Sequence, residues 1–354
     1  MQSTNQRNQF LDYTKGILMF LVVYGHTIQY VAYNGKEFFQ DQIFKAIYMF
    51  HMPLFMAISG FLSFYSIQKT TFFEITKKRF FNLIIPIVSW SIIYTTAFYL
   101  AKKEYSVNNF FQHLLNNIIS NLWFLWALFG AIVTIALIKR FKHDGLYGIV
   151  LSFCVVIMIP DKGNIPLFKY TFPFFCIGYF LAQQKEYLEL EAVKRSKLLL
   201  AAAIFFTILC YLLWSTETYI YVSGMTNFRS SILRYFSGFV ASIVIMRLIW
   251  ELYNFSSTFF RWFICEIGKG SLYIYILQTY FFTFASKFQY PFHHNFLFLL
   301  FIYPMSALLL SFCLLQVGKI SERNVLVSKF LFGRISSGNH SINQPNSNSY
   351  NTVK

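Results

Sequence analysis

Long apolar stretches recur along this chain from end to end, separated by short connections that carry most of its charge. A helix crossing a hydrocarbon core of about 30 Å needs roughly 20 apolar residues, and that length selects about ten segments. They are residues 14–33, 46–67, 80–101, 118–138, 145–160, 168–183, 198–214, 231–250, 271–286 and 296–317. Their apolarity is continuous, whereas barrel strands would alternate polar and apolar positions over about ten residues. The segments starting at 145, 168 and 271 are short, and Pro173 and Pro304 fall inside segments, so these are the places for broken or re-entrant helices. The expected fold class is all-α: a polytopic transmembrane helical bundle of about ten helices.

Composition agrees, since 56% hydrophobic and 12% charged residues over 354 positions leave too little polar surface to wrap a soluble domain of this size. The first segment is too long for a cleaved signal peptide and holds Lys15 and His26, so it is expected to stay in the protein. Lys and Arg in the connections set the orientation. They concentrate in Lys77, Lys78 and Arg79, in Lys139, Arg140 and Lys142, in Lys194, Arg195 and Lys197, and after residue 318, which places both termini in the cytoplasm. The net charge of +16 is spread over short loops, so it reads as topology signals and attraction to anionic lipid rather than a nucleic-acid groove. The five cysteines have no paired spacing, which suggests neither a disulfide framework nor a metal cluster. No internal repeat is evident, so residues 1–334 are expected to form one membrane-embedded domain. The Asn- and Ser-rich residues 335–354 are expected to be a disordered cytoplasmic tail.

With loops too short for a second domain, function must lie among the helices. Ionisable groups within or beside membrane segments are costly and usually face a cavity or a partner. The leads are Asp12, Lys15, His26, His51 and Arg79. Lys15 and His26 are eleven residues apart, three turns plus roughly 20°, so they share one helix face at an axial separation of about 16 Å. Asp12, three residues before Lys15, is placed to pair with it. His26 lies about 18 Å from the inner edge of its segment and so roughly 12 Å from the outer surface. His51 enters from the opposite side at roughly 8 Å depth, so the two histidines come to a similar level. Pro53 removes an amide hydrogen two residues after His51, and its ring disturbs the bond to the Met49 carbonyl, which predicts an opened, bent turn around His51. One histidine in a membrane helix commonly serves a neighbouring helix, but two at one level above basic residues point to a site.

The stretches "LDYTKGILMFLVVYGHT" and "IYMFHMPLFMAISGFL" closely resemble the opening of the acyltransferase 3 family, within it the subset related to fucose 4-O-acetylases. "KKRFFNLIIPIVSW", "NLWFLWALF", "FPFFCIGYFL" and "IGKGSLYIYILQ" follow in the family's order, and the resemblance runs over residues 7–317. It implies an integral membrane enzyme that moves an acyl group, usually acetyl, from cytoplasmic acyl-CoA to a hydroxyl of a surface glycan or its lipid-linked precursor. On that resemblance His26 is the catalytic histidine, His51 the histidine of the second helix block, Lys15 the essential basic residue and Asp12 the acid before it. Two departures stand out. The family often has two arginines three apart where this chain has Arg79 and Asn82, which weakens the expected donor contacts. Gln278 stands where many members have histidine; glutamine cannot shuttle a proton and is given no catalytic role.

The residue chemistry agrees with acyl transfer. A sugar hydroxyl is a poor nucleophile at neutral pH, and a histidine within hydrogen-bond reach can remove its proton as the thioester is attacked. His26 is the expected general base. His51 would orient that ring, donate to the oxyanion or relay a proton, three roles that the residues leave open, and a covalent acyl-histidine is a further route. Lys15 and Arg79 would neutralise donor phosphates. The expectation is an O-acetyltransferase of the bacterial inner membrane with acetyl-CoA as donor substrate, no bound cofactor or metal, and a cell-surface polysaccharide or lipid-linked oligosaccharide as acceptor. Membrane lipids and not nucleic acid would be its surroundings. The rival reading is a carrier of a lipid-linked sugar or small acid, which would also combine a basic entrance with intramembrane histidines. A carrier often shows two similar halves with interrupted helices at matching places, and none are seen.

Overall fold

A computed structural model describes residues 9–102, 106–143, 145–184, 197–213, 228–288 and 295–334. Helix α1 (Gln9–Thr27) continues through a π turn (Ile28–Ala32). Helix α2 (Gln42–Lys69) starts where Asp41 Oδ1 accepts from the Phe44 amide at 2.7 Å. At its other end the Lys139 ammonium donates to the terminal carbonyls of Ile67 and Gln68, replacing the partners that the last turn lacks. Helix α3 (Phe72–Arg79), opened by a Thr71–Glu74 capping box, passes through a π turn (Phe80–Ile84) into α4 (Ile85–Lys102). Then come α5 (Val107–Ser120), α6 (Trp123–Arg140), α7 (Leu146–Met158), α8 (Ile165–Gln183) and α9 (Lys197–Leu213). The chain ends with α10 (Phe228–Phe255), α11 (Thr258–Lys269), α12 (Ser271–Ala285), a π turn (Phe298–Ile302) leading into α13 (Tyr303–Ser321), and α14 (Val325–Phe332). No strand occurs among the described residues.

A helix stands at each of the ten expected positions. By length and composition, six of the helical stretches are able to cross a membrane: Gln42–Lys69, Phe72–Ala101, Trp123–Arg140, Ile165–Gln183, Ser230–Phe255 and Phe298–Ser321. α7 and α9 are apolar but shorter. α3, α5, α11 and α14 are additional; they are short helices that a search for long apolar runs passes over. The tail over 335–354 lies outside the described residues.

The bundle has two apolar clusters. One gathers around α1 with α11, α13 and the first half of α2. The other gathers around α6 and α8 with the second half of α2 and the start of α4. α2 and α12 contribute to both clusters and form the seam between them. The most extensive pairing, α2 with α8, depends on reciprocal glycines. A Cβ on Gly60 would collide with the Phe175 carbonyl, and one on Gly178 with the Ala57 carbonyl. α1 meets α11 in the same way, Gly16 lying against Ile264 and Gly268 against the Asp12 carbonyl. Small residues let backbones approach this closely where lipid offers no hydrophobic drive between helices. Large apolar side chains such as Val155, Phe205, Leu212, Phe301 and Leu309 are exposed on the outside, where a hydrocarbon solvent suits them.

Candidate active site

On α1 the residues Lys15, Met19, Val22 and His26 follow at spacings of four, three and four, which keeps them on one face. The first three line a cavity of about 270 Å³ at the seam. Met52, Phe55 and Ser59 of α2, Arg79 and Leu83, Phe124 of α6, and Ser271 and Tyr275 of α12 complete most of its wall. Lys15 and Arg79, distant in sequence, thus share one chamber.

The cations at this chamber are held in place. Lys15 Nζ pairs with Asp12 Oδ1 at 2.8 Å, and the Asp12 side chain is 4% exposed against 17% for Lys15. The aspartate is the buried anchor, and the ammonium keeps some exposure toward the cavity. Arg79 donates through Nη2 to Ser66 Oγ at 3.0 Å, while its Nε is buried without a partner. The predicted helix face and the predicted Asp12–Lys15 pair are both present. Gly16 serves the contact with α11.

The histidines lie at the other end of the α1 face. His26 stacks on Tyr30 and lies against Phe282, with ring centroids 5.8 and 5.7 Å away. Its Nδ1 meets Gln29 Oε1 at 3.3 Å. His51 is 2% exposed, meets the Ile47 carbonyl through Nδ1 at 3.0 Å, and packs edge-on against Tyr48 at 4.2 Å. Both acceptors are carbonyl oxygens, so in the neutral rings each Nδ1 carries the hydrogen and each Nε2 presents a lone pair. Such rings accept protons. Tyr48 fits between α1 and α2 because position 25 is glycine: a Cβ there would stand 2.7 Å from Tyr48 Cε2.

The turn around His51 departs from expectation. α2 runs helically through Pro53 without a break. A Cβ on Gly238 of α10 would lie 3.0 Å from Pro53 Cγ, so the proline is a packing surface for α10, whose Arg234 faces the ring of Tyr170 at 4.2 Å. The neighbouring helix covers the region that the missing amide hydrogen would otherwise open.

Lys15 and Arg79 thus line one basic chamber, and His26 lies beyond it on the same α1 face. A family model described as an acyltransferase domain, that of the acyltransferase 3 family, matches residues 8–316. The chain belongs to the acyltransferase 3 family. Among curated proteins it is 32% identical to "Nodulation protein NolL" of Mesorhizobium japonicum over 289 residues, 78% of this chain and 76% of that protein. It is also 32% identical to the protein of the same name from Sinorhizobium fredii over 284 residues, covering 77% of this chain and 78% of that one. No solved structure matches. The protein is a multi-pass membrane acyltransferase.

In this acyltransferase Asn82 has a structural task. Its side chain lies against the Lys78 and Gly333 carbonyls, and with the amide nitrogen turned toward them it donates to both, at 3.1 and 2.9 Å, tying α14 to the π turn. Trp90 Nε1 reinforces the tie by donating to the Leu331 carbonyl at 2.9 Å. Sequence reasoning missed Tyr275, Ser59 and Arg234. Arg234 is buried inside a membrane helix, and the rule that singled out Lys15 applies to it equally. Tyr275 carried no signal among so many tyrosines; its hydroxyl accepts from the Phe124 amide at 3.2 Å, fixing the start of α6 against the cavity. Among the described residues no group of three or more His, Cys, Asp or Glu is placed to hold a metal ion.

Proposed function

We propose that this acyltransferase moves an acetyl group from cytoplasmic acetyl-CoA to a hydroxyl of a bacterial surface polysaccharide or its lipid-linked precursor, in the inner membrane. The observation that carries the proposal is the α1 face, which puts Lys15 beside Arg79 in one cavity and His26 three turns beyond it. In this reading both termini lie in the cytoplasm, about ten helices cross the bilayer, and the chemistry takes place in its outer half. Lys15 and Arg79 meet the phosphates of the donor, with the guanidinium suited to bidentate contact. Asp12 holds Lys15 in position.

His26 Nε2 takes the proton of the acceptor hydroxyl as that oxygen attacks the thioester carbonyl carbon. The C–O bond forms, the tetrahedral intermediate collapses with cleavage of the C–S bond, and the leaving thiolate recovers the proton from the imidazolium. His51 is the candidate to relay that proton onward. Tyr30, Tyr48 and Phe282 surround the rings and exclude water, which strengthens each electrostatic interaction there.

The test compares surface glycan from cells lacking the gene with glycan from cells complemented by wild type or by His26→Ala at equal membrane levels, using proton NMR. An O-acetyl resonance lost on deletion and restored by wild type alone is expected, and the downfield shift of the sugar proton on the acylated carbon identifies the acceptor position. Unchanged acylation with an altered amount or length of glycan would turn the assignment toward a carrier.

A further inference from the structure

Gln278 is fully buried, and neither its Nε2 nor its Oε1 has a hydrogen-bond partner. A buried amide lacking both of its bonds carries a desolvation penalty that a structural role would not leave standing. Its place on α12 indicates what it is waiting for. Ser271, Tyr275, Gln278 and Phe282 repeat the spacing of four, three and four found in Lys15, Met19, Val22 and His26. The two stripes meet at the top, where Phe282 lies against His26. At the bottom Ser271 and Lys15 line the same cavity. Gln278 is therefore level with Val22, the last α1 residue of the cavity wall, and about 6 Å along the axis before Phe282. Helical side chains lean toward the N-terminus, which for α12 is the cavity end.

We propose that Gln278 is a donor-binding residue that pairs with a secondary amide of the pantetheine arm. Nε2 donates to the amide carbonyl and Oε1 accepts from the amide N–H. The assignment rests on the acyl-CoA reading above. An oxyanion would satisfy only Nε2 and leave Oε1 unbonded, whereas a secondary amide satisfies both. A sugar hydroxyl also offers both functions, but Gln278 lies on the cation side of His26, along the path from the donor phosphates to the histidines. No proton transfer is asked of Gln278. It lines up the thioester.

The test measures acetyl-CoA binding to the full-length protein in nanodiscs for wild type, Gln278→Leu and the longer, unbranched Gln278→Met. Two acetyl-CoA analogues, each with one arm amide replaced by an ester, are measured alongside. About a tenfold rise in Kd is expected for each variant, from loss of two modest hydrogen bonds. Wild type should lose a comparable factor with one analogue, and the variants should no longer distinguish that analogue from acetyl-CoA. The donor-free variants should melt no lower than wild type, because an unpaired amide has been exchanged for an apolar group. Variants that bind acetyl-CoA as wild type does, including any that then turn over slowly, would overturn this proposal and leave the acyl-CoA reading intact. Failure of wild type itself to bind acetyl-CoA would overturn both. If neither variant folds, a wild type that binds both analogues as tightly as acetyl-CoA still overturns the proposal.

Discussion

The two ends of the α1 face are built differently. At the Lys15 end charge is met by charge or by a hydroxyl: Lys15 by Asp12, Arg79 by Ser66, and, on the neighbouring α11, Glu266 by both Lys269 and Lys319. At the His26 end the neighbours are rings: Tyr30 and Phe282 around His26, and Tyr48 against His51. The difference separates two tasks. A group that binds a highly charged donor has to keep its own charge, which requires counter-ions and some access to water. A group that moves a proton must be held in one tautomer and shielded from water, which the Gln29 and Ile47 carbonyls and the aromatic packing accomplish. In the proposed reading, binding and chemistry lie about 16 Å apart on one helix.

This contrast breaks most visibly at His26. In His26→Ala the acyl-transfer rate should fall by about 10²–10⁴-fold, the range for a lost general base, while acetyl-CoA affinity stays at the wild-type value. Steady-state transfer measured beside calorimetric donor binding checks both halves, and a matching loss of affinity would merge the two ends into one. The next effect belongs to Arg79. Arg79→Ala should raise the donor KM by about ten- to a hundredfold, as expected for a lost charge-assisted hydrogen bond, with a smaller change in kcat. Arg79→Lys should recover only part of it, because an ammonium cannot keep the Ser66 contact and a bidentate phosphate contact together. A kcat effect larger than the KM effect would move Arg79 into the chemistry.

The smallest effect sharpens the comparison from the packing side. Gly25→Ala would press on the Tyr48 ring and, through it, on His51, an overpacking change of about 1–3 kcal/mol. Thermal unfolding should show that loss, and kcat should fall with donor KM unchanged. A change confined to donor KM would mean that Tyr48 belongs to the donor path alone.

Much of the α1 face was legible because a helix has a fixed period. Lys15 and His26, eleven residues apart, must share a face, and Asp12 must reach Lys15. Arg79 was a weak lead, since three basic residues at a helix start have a sufficient reason in topology. Its place in the cavity depends on how α3, the π turn and α6 pack, and no local pattern encodes that. Pro53 was read as a local opening because its missing hydrogen bond is a local fact. Its actual neighbour, Gly238, lies far along the chain.

The sequence by itself determined that this is a helical membrane bundle, where its long apolar helices fall, and the family to which it belongs, because apolar run length and helical period are properties of consecutive residues. It also marked His26 and His51, since an ionisable group among so many apolar ones has few structural uses. Only the tertiary structure decided that Lys15 and Arg79 share a chamber, that Asn82 anchors α14, and that Gln278 is left with two unmet hydrogen bonds between the cavity and His26. Those facts depend on which helices touch and at what level, which in lipid is set by small-residue contacts such as Gly60 with Phe175 and Gly178 with Ala57, between residues remote in the chain.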